Sequence, residues 1–294
     1  METRKVQKTN DMCYLYLPTK WCKARDITNG SILTINNSSD GSLVLSTAQK
    51  QEKNIHLTLK VDGKNINALH KLVIASYISP ASSFRIILEN PLDFTKILSH
   101  KNLVSLELVE IDENEINCES TLQINDPLQL LITMIRKVKN LLLLRGKSAP
   151  TELIERYEEE IDRNKLLIEK SVIKGLSMPS VQQHPPLMLH FISLLSKELE
   201  HIADHLIQVK KPNEKLTAQI NTVLQSLYSL SKDSFKNVDY FTVEKIIKDL
   251  DVLEELATKN KLDYKLFRVV RSLNSISEVL MDWAMVKQVQ NKVG

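Results

Sequence analysis

The second half of the chain constrains the fold most, because from Asn125 onward it contains six amphipathic helical segments separated by proline and polar breaks. Asp126 and Pro127 open the first segment as an N-cap followed by proline at the first helical position, and Gly146 ends it. The predicted helices cover residues 126–145, 150–175, 186–209, 213–231, 240–259 and 262–290. Short connections between six helices predict an all-α domain over residues 123–294, built as a pair of three-helix bundles.

The N-terminal residues 1–48 follow a different pattern of short strands and turns. The sequence predicts strands at 12–17, 31–35 and 42–45, one or two helical turns at 19–25, and a hairpin turn at Ser39-Asp40-Gly41. Pro18 ends the first strand because proline cannot donate to a ladder. A unit this small buries little surface alone, so we expect it to pair with a second copy.

Residues 50–122 form a third region, in which strands and helices alternate. The predicted strands are 55–61, 84–88, 103–111 and 116–122, and the predicted helices are 65–78 and 92–100. This pattern indicates a small α/β module without recognisable chemistry, for which bridging or dimer support is the default role. The whole chain is therefore predicted to be a multidomain α+β protein.

Composition excludes several classes of protein. Only six of the 294 residues are glycine, and no G-x-G-x-x-G or Walker-type phosphate loop occurs. The three cysteines are widely spaced and form no C-x-x-C motif: Cys13, Cys22 and Cys118. This spacing predicts neither a disulfide framework nor a zinc knuckle. The most apolar stretch, residues 128–144, contains three basic residues, and no secretory signal follows the N-terminus. These features predict a cytoplasmic protein without a membrane span.

Positive charge is concentrated at the N-terminus. Of a total formal charge of +3, the first 25 residues contribute +4, from six basic and two acidic residues, and the remainder sums to −1. The six basic residues are Arg4, Lys5, Lys8, Lys20, Lys23 and Arg25. On a dimer they would form a concentrated patch able to contact DNA phosphates. The alternative is a solvated basic arm.

Two helical segments carry pairs of carboxylates one turn apart. Glu200 and Asp204 share one face of the segment 186–209, opposite its apolar stripe, and Glu158 and Asp162 have the same spacing in the segment 150–175. Carboxylates from neighbouring helices are the way that helical bundles assemble metal sites, so these four residues are candidate ligands for a metal ion. The alternative is that both pairs belong to ordinary solvated helix faces.

Other chemistry is hard to find in the sequence. There is no G-x-S-x-G nucleophile elbow, and Trp283 in the last helix is interpreted as a core aromatic. A metal-dependent hydrolase that uses the carboxylate pairs would lack a recognisable nucleophile and general acid. We therefore expect a binding protein and no enzyme.

The N-terminal segment resembles a known family. The runs Tyr14-Leu-Tyr-Leu-Pro18-Thr-Lys20-Trp21, Asn29-Gly30-Ser31-Ile-Leu-Thr-Ile35 and Asp40-Gly41-Ser-Leu-Val-Leu45 are similar to the AbrB/SpoVT/MazE swapped-hairpin proteins. The Lys-Gly-Asp common in the turn of that family is Asn29-Gly30-Ser31 in this chain. The resemblance implies that residues 1–48 form half of a swapped-hairpin β-barrel that dimerises and binds DNA.

The helical region resembles the PhoU family. Leu195-Ser-Lys-Glu-Leu-Glu200-His-Ile-Ala-Asp204-His is similar to the family's "LERIADHA" signature, and Glu158-Glu-Glu-Ile-Asp162 is similar to the partner motif. The resemblance implies six helices as two three-helix bundles, with Glu158, Asp162, Glu200 and Asp204 as ligands of a surface metal cluster of Fe, Zn, Mn or Mg. The second-half counterparts, Asn274-Ser-Ile-Ser-Glu278 and Ile247-Lys-Asp-Leu-Asp251, depart from the motifs.

Together the three regions resemble archaeal PhoU-domain regulators. The resemblance implies a dimeric, cytoplasmic, phosphate-responsive regulator whose N-terminal domain binds DNA and whose helical domain senses a metal or a partner. The alternative is a protein-interaction adaptor that docks on a phosphate-transport ATPase or a sensor kinase, with the N-terminal domain used only for dimerisation.

Overall fold

The computed structural model of the chain describes residues 3–37, 41–47, 55–62, 64–90, 103, 106–112, 114–120, 126–147, 149–177, 184–209, 214–259 and 264–293. The chain divides into two compact units, Met1–Lys53 and Asn54–Val293. The second unit contains both the α/β module and the six-helix region, whose separation into independent domains stays a prediction. The structure confirms an α+β protein dominated by helix.

The unit Met1–Lys53 contains two separate antiparallel hairpins and one short helix. Their bounds are Gln7–Thr9 (β1), Met12–Tyr14 (β2), Thr19–Lys23 (α1), Leu33–Asn37 (β3) and Leu43–Thr47 (β4). β1 pairs with β2 and β3 pairs with β4, and within the described residues these strands close no barrel. The predicted strand at 12–17 ends early, at Tyr14, and β1 was not predicted because its sequence, Gln-Lys-Thr, is polar.

Turn residues of this unit adopt left-handed backbone conformations. Gly30 has φ of +84° and Gly41 has φ of +78°, a region that costs glycine little. Asn10, in the tight β1–β2 turn, has φ of 54°, which asparagine tolerates better than most residues. The predicted turn residues Ser39 and Asp40 lie outside the described residues.

No described side chain of this unit is buried. Large apolar side chains on its strands and loops are exposed, including Tyr16 (65%), Ile32 (77%), Ile35 (61%) and Leu43 (66%). A folded unit without a core cannot be stabilised by its own apolar burial. In a single copy, the described apolar side chains of this unit are therefore left without a core to cover them.

The α/β module is a four-stranded sheet with one described helix. The elements are His56–Val61 (β5), Ile66–Ile78 (α2), Ser83–Leu88 (β6), Leu106–Asp112 (β7) and Glu115–Ser120 (β8), in the strand order β5-β6-β8-β7. β5 and β6 are parallel, with α2 as their crossover, and the other pairs are antiparallel. Asn65 caps α2 by accepting a hydrogen bond from the amide of Ala68 at 3.1 Å. The predicted helix at 92–100 lies outside the described residues.

Six long helices follow the module, close to their predicted positions. They are Pro127–Gly146 (α3), Thr151–Ser177 (α4), Pro186–Leu206 (α5), Glu214–Lys232 (α6), Tyr240–Lys259 (α7) and Tyr264–Val293 (α8). The predicted cap is present, since Asp126 Oδ1 accepts from the Leu128 amide at 2.9 Å. None of the helices in the described part of the chain combines the length and the apolar character that crossing a bilayer demands.

The six helices share one continuous hydrophobic core. α3 packs against α4, α5 and α6, α7 packs against α6 and α8, and α5 makes its most extensive contact with α8. At that contact Trp283 of α8, 5% exposed, stacks on Phe191 of α5 with ring centroids 5.1 Å apart and also contacts Phe235 at 4.7 Å. Trp283 is thus a core aromatic, as predicted.

α4 also carries the contact between the bundle and the α/β module. Leu166 belongs to the module's core, and Lys170 Nζ donates to the backbone oxygen of Tyr77 at 2.7 Å, with the Tyr77 ring 4.3 Å away. Burial, together with the nearby charge of Lys174, lowers the pKa of Lys170 to about 8. The same helix therefore contacts the module and carries two of the predicted metal ligands.

Candidate metal centre

The candidate site lies where α4 packs against α5. A helix places residues four apart on one face, so Glu158 and Asp162 project together from α4, and Glu200 and Asp204 project together from α5. The apolar residues on the neighbouring faces, such as Ile161 and Ile202, are fully buried and hold the two helices in contact. The acidic faces therefore meet at the edge of the bundle core.

Three of the four predicted ligands converge. One carboxylate oxygen each from Asp162, Glu200 and Asp204 lies within 4.8 Å of the others. All three side chains are half-buried, which corrects the prediction that Glu200 and Asp204 face solvent. The reason is that α4 covers the polar face of α5. Within the described ranges this is the one group of at least three acidic, His or Cys side chains with such spacing.

Glu158 lies at the border of this group. It is not among the three converging carboxylates, but the charge of Asp204 helps to raise its pKa, after burial as the main cause. Glu158 therefore interacts electrostatically with the site without belonging to the converging group.

The carboxylates of the group repel one another. The pKa of Asp162 is raised to about 6, mainly by burial and then by the charges of the neighbouring carboxylates Asp204, Glu200 and Glu158, while the charge of Lys165 opposes the rise. Burial and the charge of Glu200 also raise the pKa of Asp204. Such repulsion between half-buried like charges is relieved by a proton or by a cation.

Two basic side chains border the group, and one of them, Lys165, was not predicted. Lys165 Nζ of α4 lies 3.6 Å from Glu200 Oε1 and 3.7 Å from Glu169 Oε1. His201 Nε2 lies 3.8 Å from Glu200 Oε2, and its Nδ1 lies 3.5 Å from Glu198. Lys165 could have been found from the sequence, because it follows Asp162 by three residues and so shares its helix face.

The donor set fits a hard divalent cation. Three carboxylates supply oxygen ligands, and oxygens bound to one Mg²⁺, Mn²⁺ or Ca²⁺ at about 2.0–2.6 Å lie about 3–5 Å apart. The observed limit of 4.8 Å lies in that range. Oxygen donors favour these ions over zinc.

The predicted DNA-binding residues are all exposed. Arg4, Lys5, Lys8, Lys20, Lys23 and Arg25 lie on β1, on α1 and on the segments beside them. Arg25 lies over the Trp21 ring, with its guanidinium carbon 5.2 Å from the ring centroid. Exposure leaves these charges able to contact a ligand, and their contact with DNA stays a prediction.

No family model, no curated protein and no solved structure matches this chain. Evidence for function therefore comes from the residues and the geometry. The short motifs suggest membership in the AbrB-like and PhoU families, and that membership stays an expectation.

Proposed function

We propose that the chain is a metal-binding, phosphate-responsive transcription regulator that acts as a cytoplasmic homodimer and has no enzymatic activity. The observation that carries the proposal is the convergence of Asp162, Glu200 and Asp204 from two helices. The PhoU-like motifs designate these residues as ligands, and Asp162 is far from Glu200 and Asp204 in the sequence. The helical domain would sense a metal ion or a protein partner, and the N-terminal unit would bind DNA.

The charge and surface of the N-terminal unit support the DNA-binding half of the proposal. Its six basic residues are exposed, and its apolar surface is uncovered in a single copy. A dimer would cover that surface and bring twelve basic side chains into one assembly. Such an arrangement gives strong, salt-dependent attraction to a phosphate backbone.

Metal content tests the sensing half. We expect elemental analysis of the purified protein, loaded with Mn²⁺ or Mg²⁺ and desalted, to give bound metal that the double variant Glu200→Gln/Asp204→Asn lacks. The matched control is Asp251→Asn/Glu255→Gln, a pair of exposed acidic residues four apart on α7. Equal metal content in the site variant and the wild type would refute the site.

Gel retardation tests the DNA-binding half. With DNA from upstream of its own gene, we expect binding that weakens steeply with salt, and a charge reversal Lys20→Glu/Lys23→Glu should weaken it evenly across sequences. The control Lys245→Glu/Lys248→Glu reverses two exposed charges three apart on α7. If no DNA is retarded at low salt, the regulator proposal fails and capture of a transport ATPase or kinase becomes the experiment for the adaptor alternative.

A further inference from the structure

A cavity of about 650 Å³ lies between α7 and α8, and neither the metal centre nor the DNA-binding unit uses it. Its lining comprises Glu254, Ala257, Thr258, Tyr264, Phe267, Val270, Arg271 and Asn274. Pockets that bind small organic molecules have volumes of about 300–1,000 Å³. The size of the cavity therefore matches a ligand of that class.

The cavity has aromatic walls on an apolar floor. Tyr264 and Phe267 are three residues apart on α8 and share a face, yet they are 64% and 54% exposed. Val270 and Ala257, below them, are 3% and 8% exposed. Lys265 Nζ lies 5.9 Å from the centroid of the Tyr264 ring, and both rings remain largely exposed. Two such rings beside a buried apolar floor form a surface on which a flat ring packs favourably.

An arginine stands at the edge of these rings. Arg271 follows Phe267 by one helical turn, and it makes no hydrogen bond or ion pair with any residue in the described part of the chain. Its guanidinium offers five donors in a planar fork that suits a carboxylate or a phosphate. The cavity thus contains a cation able to pair with an anionic group.

The opposite wall offers an acceptor. Glu254 of α7 accepts a hydrogen bond from Asn274 Nδ2 of α8, and it forms no ion pair with Arg271. An ionised carboxylate has about four acceptor sites, so Glu254 can still accept from a hydroxyl or an amine. A free phosphate ion has no ring, so it would gain nothing from the aromatic walls, and its negative charge would be repelled by Glu254.

From these observations we infer that the cavity between α7 and α8 binds an aromatic organic anion. The ring lies against Tyr264 and Phe267, the anionic group pairs with Arg271, and Glu254 accepts a hydrogen bond from a hydroxyl or amine on the ligand. A nucleoside monophosphate and an aromatic carboxylic acid share this chemistry. The inference does not depend on the proposed metal or DNA binding.

Calorimetric titration of the full-length protein tests the inference with two probes, adenosine monophosphate and naphthalene-2-carboxylate. At least one of them should bind, and Arg271→Gln should weaken that binding about tenfold. Phe267→Ala should weaken it about fivefold, because it removes one aromatic wall. Both side chains are exposed, so neither variant should impair folding. The matched control is Lys248→Gln, which removes an exposed charge on α7 outside the cavity.

The outcomes separate the two sources of the ligand. Binding of adenosine monophosphate alone identifies a nucleotide, and binding of naphthalene-2-carboxylate alone identifies an aromatic acid. Inorganic phosphate has the anionic group without the ring, and adenosine has the ring without the anionic group. If the nucleotide is the ligand, each should bind at least about tenfold more weakly than adenosine monophosphate. The inference is overturned if neither probe binds, or if Arg271→Gln and Phe267→Ala leave binding unchanged. The same titration of Glu200→Gln/Asp204→Asn, the variant of the proposed metal centre, shows whether ligand binding in the cavity depends on that centre. Failure of one proposal can then be told apart from failure of the other.

Discussion

Lys165 and Glu200 form an ion pair across α4 and α5, with Nζ 3.6 Å from Oε1 and side chains only 24% and 18% exposed. The ammonium group thus stands beside the same carboxylates that converge as candidate metal ligands. A lysine in that position partly neutralises the repulsion among the three carboxylates. It also competes with a metal ion for them.

Replacing Lys165 by glutamine should strengthen metal binding. An ammonium in a partly exposed ion pair contributes about 0.5–1 kcal/mol to the energy of that pair. Without the positive charge of Lys165 beside the carboxylates, we expect Mn²⁺ to bind about two- to fivefold more tightly. Titration calorimetry measures the change, and Lys165→Arg is the charge-preserving control. Unchanged or weaker binding in Lys165→Gln would show that the metal does not bind at these carboxylates.

Replacing Asp162 by asparagine should stabilise the metal-free protein at neutral pH. The pKa of Asp162 is raised to about 6 in the folded state, above about 3.9 in an unfolded chain. The folded protein therefore holds this proton more tightly, and the stability that it contributes below pH 4 is lost as pH rises through 6. After a discount for partial exposure, Asp162→Asn should raise the free energy of unfolding by about 1–2 kcal/mol at pH 7.5.

Urea denaturation in the presence of a chelator, at several pH values, measures the difference in the free energy of unfolding between Asp162→Asn and the wild type. The difference should shrink as pH falls and disappear below the unfolded pKa, near pH 3, where both folded and unfolded wild-type chains carry the proton. Asp251→Asn, an exposed change at the counterpart position on α7, should show no comparable difference. A stability of Asp162→Asn equal to the wild type at every pH would contradict the prediction.

Replacing Trp283 by alanine should destabilise the bundle severely. The indole is 5% exposed and packs between Phe191 and Phe235, so its removal leaves a cavity where α5 meets α8. The expected loss is about 3–5 kcal/mol in the free energy of unfolding, measured by urea denaturation. Phe241→Ala, at an aromatic residue that is 77% exposed, should cost less than about 0.5 kcal/mol. Similar losses for the two variants would contradict the packing described.

Replacing Leu43 by glutamate should break the proposed dimer. Leu43 and Ile35 lie on one face of the β3–β4 hairpin, and both are largely exposed in a single copy. A charge there could not be covered by a second copy without a desolvation cost. Light scattering should give 33.6 kDa for Leu43→Glu and twice that for the wild type.

The control for the dimer experiment is Leu143→Glu, a change at an exposed leucine of α3. That variant should keep the dimer mass, and Leu43→Glu should bind DNA with a shallower salt dependence because each monomer carries half of the basic residues. A wild-type protein that is already monomeric at micromolar concentration would refute the prediction.

Local signals explain which parts of the fold could be predicted. α3 begins at the predicted cap because the Asp126 side chain accepts a hydrogen bond from the first turn and Pro127 fits the first helical position. α5 begins at Pro186 without a side-chain cap, and there the proline at the start of the helix is the local signal. β1 was missed because its hairpin depends on pairing with β2 and on the left-handed turn at Asn10, which no hydrophobic alternation indicates.

The candidate site was predictable in part. The spacing of the two acidic motifs identified Asp162, Glu200 and Asp204, because spacing of four fixes a common helix face. It could not show that α4 covers the face of α5, so the half-burial and the raised pKa values had no local signal. The cavity beside Phe267 was likewise invisible, since it depends on how two helices separate at their ends.

The absence of buried side chains among the described residues of the N-terminal unit has a calorimetric consequence. The heat capacity of unfolding comes mainly from apolar surface that becomes exposed, and about 50 residues of an ordinary globular protein contribute about 0.7 kcal/mol/K. A single copy of this unit has little such surface left to expose. If the unit pairs with a second copy, as proposed, that contribution should appear only in the assembled protein, in a transition whose midpoint rises with concentration. Folding and assembly of this unit would then be a single thermodynamic event.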